Sequence, residues 1–210
     1  MRNQSNKPGT VIPNEPKINV PSDEKENPWR TTTSKVVYDN SWISVREDSV
    51  IRPDREPGIY GVVHFKNIAI GILAIEAEFV YLVGQYRYPL DRYSWEIPEG
   101  GCEEGEDPLA AARRELEEET GLRAARWEQM GEAYLSNSVT DEHAIWFLAT
   151  ELTEGTRSPE GTEQLDVCRI TFDEALEMVF RGEITDALSS LAIMKYQNSR
   201  KGLRRPGRVD

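Results

Sequence analysis

Three glutamates, Glu115, Glu118 and Glu119, are spaced so that their carboxylates can act together. On an α-helix, which turns 100° per residue, all three side chains would lie within one arc of about 100°. Carboxylates packed this closely repel one another. Hard divalent cations such as Mg²⁺ and Mn²⁺ relieve that repulsion, because they prefer oxygen ligands. The spacing therefore predicts a site for divalent cations on one face of a helix, where such an ion could activate a bound water.

The residues around these glutamates follow a fixed pattern. Arg114 precedes Glu118 by four positions, so on a helix its guanidinium can hold that carboxylate in one rotamer. Glu106 lies before the helix and can join the acidic cluster or orient it, whereas Glu117 falls on the opposite side and is expected to be solvated. The full pattern is Gly100, five residues, Glu106, seven residues, Arg114-Glu115-Leu116, one residue, Glu118-Glu119, one residue and Gly121-Leu122.

The element that must position these side chains is a helix from about residue 108 to residue 120. Asp107 suits its N-cap and Pro108 its first turn, and Gly121 suits its exit. An apolar stripe beside the glutamates is predicted to pack on a sheet. It consists of Leu109, Ala112 and Leu116.

Apolar runs on both sides of this helix predict the sheet. Residues 68–75 and 79–86 are typical of a hairpin, and residues 144–149 and 167–170 of further buried strands. Two stretches with apolar residues three and four apart, 172–181 and 185–197, predict helices. The combination indicates an α/β or α+β fold with helices on both faces of a mixed sheet.

The N-terminal third predicts a separate small β appendage. Its strand-forming stretches are 35–38, 42–46, 50–51 and 60–65, with turn-forming residues between them. The expected division of the chain is a flexible arm at 1–28, a β subdomain at 29–66, a catalytic domain at 67–198 and a basic, disordered tail at 199–210.

Composition restricts the partners. The chain has 37 acidic and 25 basic residues, a net charge of −12, which would repel a nucleic-acid backbone. A small polyphosphate would need bound cations to reverse the local field. The apolar run at 68–75 is too short to span a bilayer, so no membrane partner is expected. Two cysteines and no visible signal peptide favour the cytoplasm.

The pattern from Gly100 to Leu122 is a complete Nudix box, and the sequence resembles the Nudix hydrolase superfamily. Within it, the chain is similar to the branch of ADP-ribose and nucleoside-diphosphate-sugar pyrophosphatases, through residues 85–89, 95–100 and 182–186. The resemblance implies a Nudix-like α/β/α sandwich. It also implies a homodimer in which the small N-terminal sheet takes part.

The resemblance further implies a metal site. Glu115 and Glu119 are then the principal ligands, and Glu118 is a further ligand and a catalytic candidate. The backbone carbonyl of Glu99 completes the set around Mg²⁺, for which Mn²⁺ can substitute.

Three residues are candidates for substrate binding. Arg87 matches an arginine that contacts substrate in the family, with a surface cation as the alternative. Glu96 lies in the stretch that leads into the box. Trp42 can stack on a nucleobase, although a core or dimer contact explains it more simply.

The general base is open between Glu142 and Glu163. Glu142 directly precedes an apolar strand that would hold it rigidly, and Glu163 lies in a loop that could close over substrate. ADP-ribose enzymes of this branch usually carry Ser-Pro-Gly where this chain has Ser136-Asn137-Ser138. A GDP- or UDP-hexose is therefore as good a candidate substrate as ADP-ribose.

The expected reaction is hydrolysis of the pyrophosphate bond of a small sugar nucleotide, giving a nucleoside monophosphate and a sugar 1-phosphate. Three alternatives remain. A simple divalent-cation-binding protein would leave Gly100, Arg114 and Gly121 unexplained. An RNA or housecleaning pyrophosphohydrolase of the same family is disfavoured by the acidic charge. A non-catalytic sugar-nucleotide sensor is disfavoured because every box carboxylate is present.

Overall fold

A computed structural model describes residues 26–158 and 164–203, with side chains described through Arg200. Its N-terminal part is an antiparallel sheet of β1 (Arg30–Asp39), β2 (Ile43–Ile51) and β3 (Pro57–Phe65), in that order. Asn40 turns the chain between the first two strands, because its side-chain oxygen accepts hydrogen bonds from the amides of Trp42 and Ile43 at 2.8 Å. This sheet is the small appendage that the sequence predicts.

A second, larger sheet holds the remaining strands. Its strands are β4 (Ile68–Glu76), β5 (Phe79–Arg87), β6 (Arg92–Glu96), β7 (Glu99–Cys102), β8 (Leu122–Tyr134), β9 (His143–Glu154) and β10 (Asp166–Thr171). The main order is β10-β5-β4-β9-β8, with β6 paired to β5 and β7 to β4. The β4–β9 pair is parallel and the β4–β5 pair is antiparallel, so the sheet is mixed.

The expected hairpin of β4 and β5 is confirmed, but its two strands separate soon after the turn. Their register runs through Ile75 with Val80 and Glu76 with Phe79. Beyond the turn, β4 pairs with β9 on one side and β7 on the other. The divergence brings β7, which leads into the predicted catalytic helix, onto the centre of the sheet.

Helices cover both faces of this sheet, as expected. They are α1 (Pro108–Thr120), α2 (Phe172–Phe180) and α3 (Ala187–Leu203). Alternate residues of β4 point to opposite faces. Ile70 and Ile72 are buried in one cluster with Leu116 of α1, whereas Leu73 is buried in a second cluster with Phe172 and Leu188 of α2 and α3. The result is an α/β/α sandwich with two apolar cores.

Some element boundaries differ from the expectations. The sequence predicts a separate strand at residues 50–51. In the structure these two residues are instead the end of β2. The long strand β8 was not predicted. Helix α3 continues to Leu203, past both its expected end at 197 and the tail boundary at 199. Residues 1–25 of the expected arm and 204–210 of the tail lie outside the described residues. None of the described helices has the length and apolarity needed to cross a bilayer.

Candidate active site

Helix α1 begins and ends where the sequence predicts. The Asp107 carboxylate accepts a hydrogen bond from the Ala110 amide at 2.9 Å, which caps the N-terminus. Gly121 adopts φ of 74° and closes the C-terminus through a hydrogen bond from its amide to the Glu117 carbonyl at 2.9 Å. Of the predicted stripe, Ala112 and Leu116 are fully buried. Both helix ends and its apolar face are therefore fixed.

The three glutamates of α1 differ in burial. Glu119 is 1% exposed, and one of its carboxylate oxygens accepts a hydrogen bond from the backbone amide of Glu99 at 2.9 Å. The side chains of Glu115 and Glu118 are 13% and 32% exposed. The helix therefore presents a carboxylate ridge, defined as Glu115, Glu118 and Glu119, that runs from the buried interior towards solvent.

Strand β7 approaches this ridge at a glycine. A Cβ at Gly100 would overlap the carboxylate of Glu115, so the absence of a side chain there is what lets the strand and the helix come together. The same approach brings the backbone of Glu99 against Glu119. The Gly100 position in the sequence pattern is thus explained by packing against the ridge.

Arg114 binds the outer part of the ridge. One terminal nitrogen donates to Glu115 at 2.7 Å and to Glu118 at 3.1 Å, and the other donates to the Gly101 carbonyl at 2.8 Å. The expected contact between Arg114 and Glu118 is confirmed. Glu106 accepts from the same guanidinium, and this hydrogen bond lowers the pKa of Glu106 below its ordinary value. Glu106 therefore orients the arginine.

The ridge fits a hard divalent cation by the chemistry of its donors. In residues 26–158 and 164–203, no three acidic, histidine or cysteine side chains already converge as a metal cage. The donors of the ridge are carboxylate oxygens, a ligand type that Mg²⁺ and Mn²⁺ prefer. Arg114 is the side chain with which an ion would compete for Glu115 and Glu118.

Beside the ridge lies a cleft of about 700 Å³, which brings together predicted residues from distant parts of the chain. Trp42 of the small sheet, 71% exposed, lies on its wall. Five predicted site residues line this cleft: Trp42, Arg87, Glu96, Glu99 and Glu142. Glu163 lies outside the described residues.

Arg87 enters the cleft already bound to two acidic residues. Its Nε donates to both carboxylate oxygens of Glu96 at 3.0 Å, and one terminal nitrogen donates to Glu96 at 2.5 Å and also to Glu99. Burial lowers the pKa of the Arg87 guanidinium, but the hydrogen bonds and charges of these carboxylates outweigh it and raise the pKa above its ordinary value. Arg87 therefore neutralises buried carboxylates in the cleft wall.

Asp186 is a cleft residue that the sequence does not predict as part of the site. It lies at the start of α3, where its carboxylate accepts a hydrogen bond from the Ser189 amide at 2.6 Å. Burial, followed by the charges of Asp186 and Glu96, raises the pKa of Glu99 well above its ordinary value. Burial, followed by the charge of Asp186, also raises the pKa of Glu142. The signal for Asp186 was its place in the stretch 182–186.

Comparisons with known proteins agree with this geometry. Residues 65–188 match the family model described as the NUDIX domain, and residues 29–63 match the model described as the nucleoside diphosphate sugar hydrolase N-terminal domain. The second match coincides closely with the small sheet, and the first spans the ridge and most of the residues that line the cleft.

Individual relatives cover most of the chain. An ADP-ribose pyrophosphatase of Bacillus subtilis is 33% identical over 80% of this chain and 92% of its own length. A methanol dehydrogenase activator of Bacillus methanolicus is 30% identical over the same shares. A crystal structure of an ADP compounds hydrolase superposes with a TM-score of 0.78 over 88% of this chain and 100% of that one, at 17% identity. This last likeness shows the fold.

Proposed function

The chain belongs to the NUDIX domain family, and from that premise we propose that it hydrolyses the pyrophosphate bond of a nucleoside diphosphate sugar. The observation that carries the proposal is the continuity of the carboxylate ridge with the 700 Å³ cleft, through Glu99 and Gly100. A cleft of this size accommodates a small ligand. The ridge supplies ligands for a metal ion. In a chain of net charge −12, a bound cation is needed to offset the repulsion of a diphosphate.

We propose Mg²⁺ as the ion, with Mn²⁺ as a substitute. Glu115, Glu118 and Glu119, with the carbonyl of Glu99, would hold it. When bound, such an ion neutralises phosphate oxygens and acidifies water. Gly100 keeps open the approach between strand and helix, and Arg114 with Glu106 holds the outer carboxylates in their rotamers.

In the reaction, a water oxygen attacks one phosphorus and the bond from that phosphorus to the bridging oxygen breaks. We assign the water proton to Glu142, which lines the cleft and has a raised pKa that suits a proton acceptor. The products are a nucleoside monophosphate and a sugar phosphate. Glu163 remains the alternative base.

Trp42 and Arg87 are proposed to contact the substrate. The exposed indole of Trp42 at the cleft wall supports stacking on a base. The position of Arg87 in the cleft wall supports its contact with substrate. Its guanidinium also holds the Glu96 carboxylate in place. ADP-ribose and GDP- or UDP-hexoses are the candidate substrates.

We further propose a homodimer formed through the small sheet. Every residue of β1 is exposed, and Val36, Val37 and Tyr38 among them are more than half exposed. An edge strand with such residues suits contact with a second copy. A cytoplasmic location is supported by the thiols of Cys102 and Cys168, which are both free.

The test is incubation of the purified protein with Mg²⁺ and a panel of ADP-ribose, GDP-mannose, UDP-glucose and a 5′-triphosphorylated RNA oligonucleotide. Release of a nucleoside monophosphate from a sugar nucleotide is the expected result. Pyrophosphate release from the RNA, with no monophosphate released from any of the sugar nucleotides, would contradict the proposal. If calorimetry shows that a sugar nucleotide binds but no monophosphate is released, the protein is a sensor instead.

A further inference from the structure

The loop that carries Glu142 is attached to the small sheet as well as to the strands that it connects. It runs from the end of β8 to the start of β9. The Val63 amide of β3 donates to the Val139 carbonyl at 2.9 Å, and the Asp141 amide donates to the Val63 carbonyl at 3.3 Å. The hydroxyl of Tyr60 donates to the Ser138 carbonyl at 2.7 Å. The loop thus adds a short parallel bridge to the edge of β3.

Asp141 makes the side-chain part of this attachment with both carboxylate oxygens. One accepts from the backbone amide of Phe65 at 3.0 Å, and the other accepts from Nδ1 of His64 at 2.6 Å. Burial would raise the pKa of Asp141, but these hydrogen bonds lower it below its ordinary value, so the carboxylate is ionised near neutral pH. Asp141 is therefore a charged anchor between the loop and β3.

The next residue in the chain faces the cleft. Glu142 lines it, whereas the carboxylate of Asp141 is bound to the backbone of β3, so the two neighbouring acidic residues have different partners. The backbone of Glu142 is held through its carbonyl, which accepts from the Leu135 amide at 3.1 Å. Asp141, the anchor one residue earlier, limits rotation of the Glu142 backbone about this hydrogen bond.

We infer that Asp141 is a positioning residue for Glu142, which it holds in place by binding the loop to His64 and Phe65 of the small sheet. The inference rests on the proposed function, since it needs Glu142 as the proton acceptor. It gives the small sheet a part in the chemistry, in addition to its proposed contact with a second copy. Misplacing a reacting group by about 1 Å can cost about 100-fold in rate.

The first test compares D141A with D39A. Asp39 is the matched control, because it is a similarly exposed carboxylate of the small sheet, paired with Lys66 at 3.0 Å, and that ion pair does not involve the Glu142 loop. We expect D141A to lower kcat by about 10- to 100-fold with little change in KM, and D39A to leave both unchanged. Equal kcat values in the two variants would overturn the inference.

The second test asks whether Asp141 acts through Glu142. In an E142Q background, D141A should cause no further loss of kcat, because the group that it positions is already removed. D141N should recover most of the rate, since its amide oxygen can still accept from the Phe65 amide. If the D141A and E142Q losses multiply, the positioning role is wrong.

H64A supplies a milder variant in case D141A does not fold. It removes one of the two side-chain contacts of Asp141, and its smaller loss of kcat should also vanish in the E142Q background. Amide hydrogen exchange reports the attachment without any substrate, and Phe65 should exchange faster in D141A than in D39A.

The outcomes separate this inference from the proposed function. If the unmodified protein releases no monophosphate from any sugar nucleotide, the function itself fails. If the protein is active and E142Q retains full activity, the function stands and the inference about Asp141 falls.

Discussion

Gly100 and Glu115 are packed so closely that a Cβ on the glycine would overlap the carboxylate of the glutamate. The contact joins β7 to α1 at the point where the cleft meets the ridge. A substitution at Gly100 therefore changes the position of a proposed metal ligand directly.

G100A is expected to lower kcat by about 100-fold, because the added methyl group displaces the Glu115 carboxylate. The cost in stability should be about 1–3 kcal/mol, the usual range for overpacking. Steady-state kinetics and urea unfolding measure the two effects. G61A is the control, because a Cβ at Gly61 meets no atom within 4 Å. Equal kinetics in the two variants would remove Gly100 from the site.

E119Q is expected to lower turnover by about 100-fold or more while the protein still folds. The amide keeps the oxygen that accepts from Glu99, but it lacks the charge that a divalent ion requires. E117Q is the matched control on the same helix, since Glu117 pairs with Arg123 on the opposite side. Titration with Mn²⁺ should show weakened binding in E119Q and normal binding in E117Q. Unaltered Mn²⁺ binding in E119Q would refute the metal assignment.

The rate should depend on the ionisation of Glu142. Burial and the charge of Asp186 raise the pKa of Glu142 above its ordinary value, so the carboxylate gains a proton at a higher pH than a solvated glutamate does. Only the ionised form accepts a proton, so kcat should fall as the pH decreases through this raised pKa. The pH–rate profile of E142Q should lack that acidic limb. If E163Q loses the limb and E142Q keeps it, Glu163 is the base.

R87A is expected to destabilise the protein by about 3 kcal/mol, because it leaves the buried carboxylate of Glu96 and the half-buried carboxylate of Glu99 without their cation. Urea unfolding measures the loss. R52A is the control, since Arg52 and Asp54 form an exposed ion pair whose removal should cost less than about 1 kcal/mol. A loss in R87A no larger than in R52A would show that Glu96 and Glu99 do not depend on Arg87.

The sequence predicts α1 and its ridge well, because both depend on local signals. The caps at Asp107 and Gly121 and the helical period of the glutamates act over a few residues. The continuous apolar run of β4 likewise predicts its buried position. Local sequence signals were therefore sufficient to predict the features that lie within a single helix or strand.

Features that depend on distant pairing were not predicted. Strand β8 is rich in alanine and charged residues, and it is extended because it pairs with β9 along most of its length. Asp186 acts on Glu99 and Glu142 only because the fold brings the start of α3, β7 and the end of the loop before β9 to the same cleft. No local pattern reports such a contact.

Arg114 has a consequence for how the enzyme is assembled. Its guanidinium neutralises part of the charge of Glu115 and Glu118 from within the chain. The helix can therefore fold without waiting for an ion, and cation loading becomes a reversible event that follows folding. Removal of the cation with a chelator should abolish turnover but leave the melting temperature nearly unchanged. This is the behaviour of an enzyme that binds its cation together with each substrate molecule.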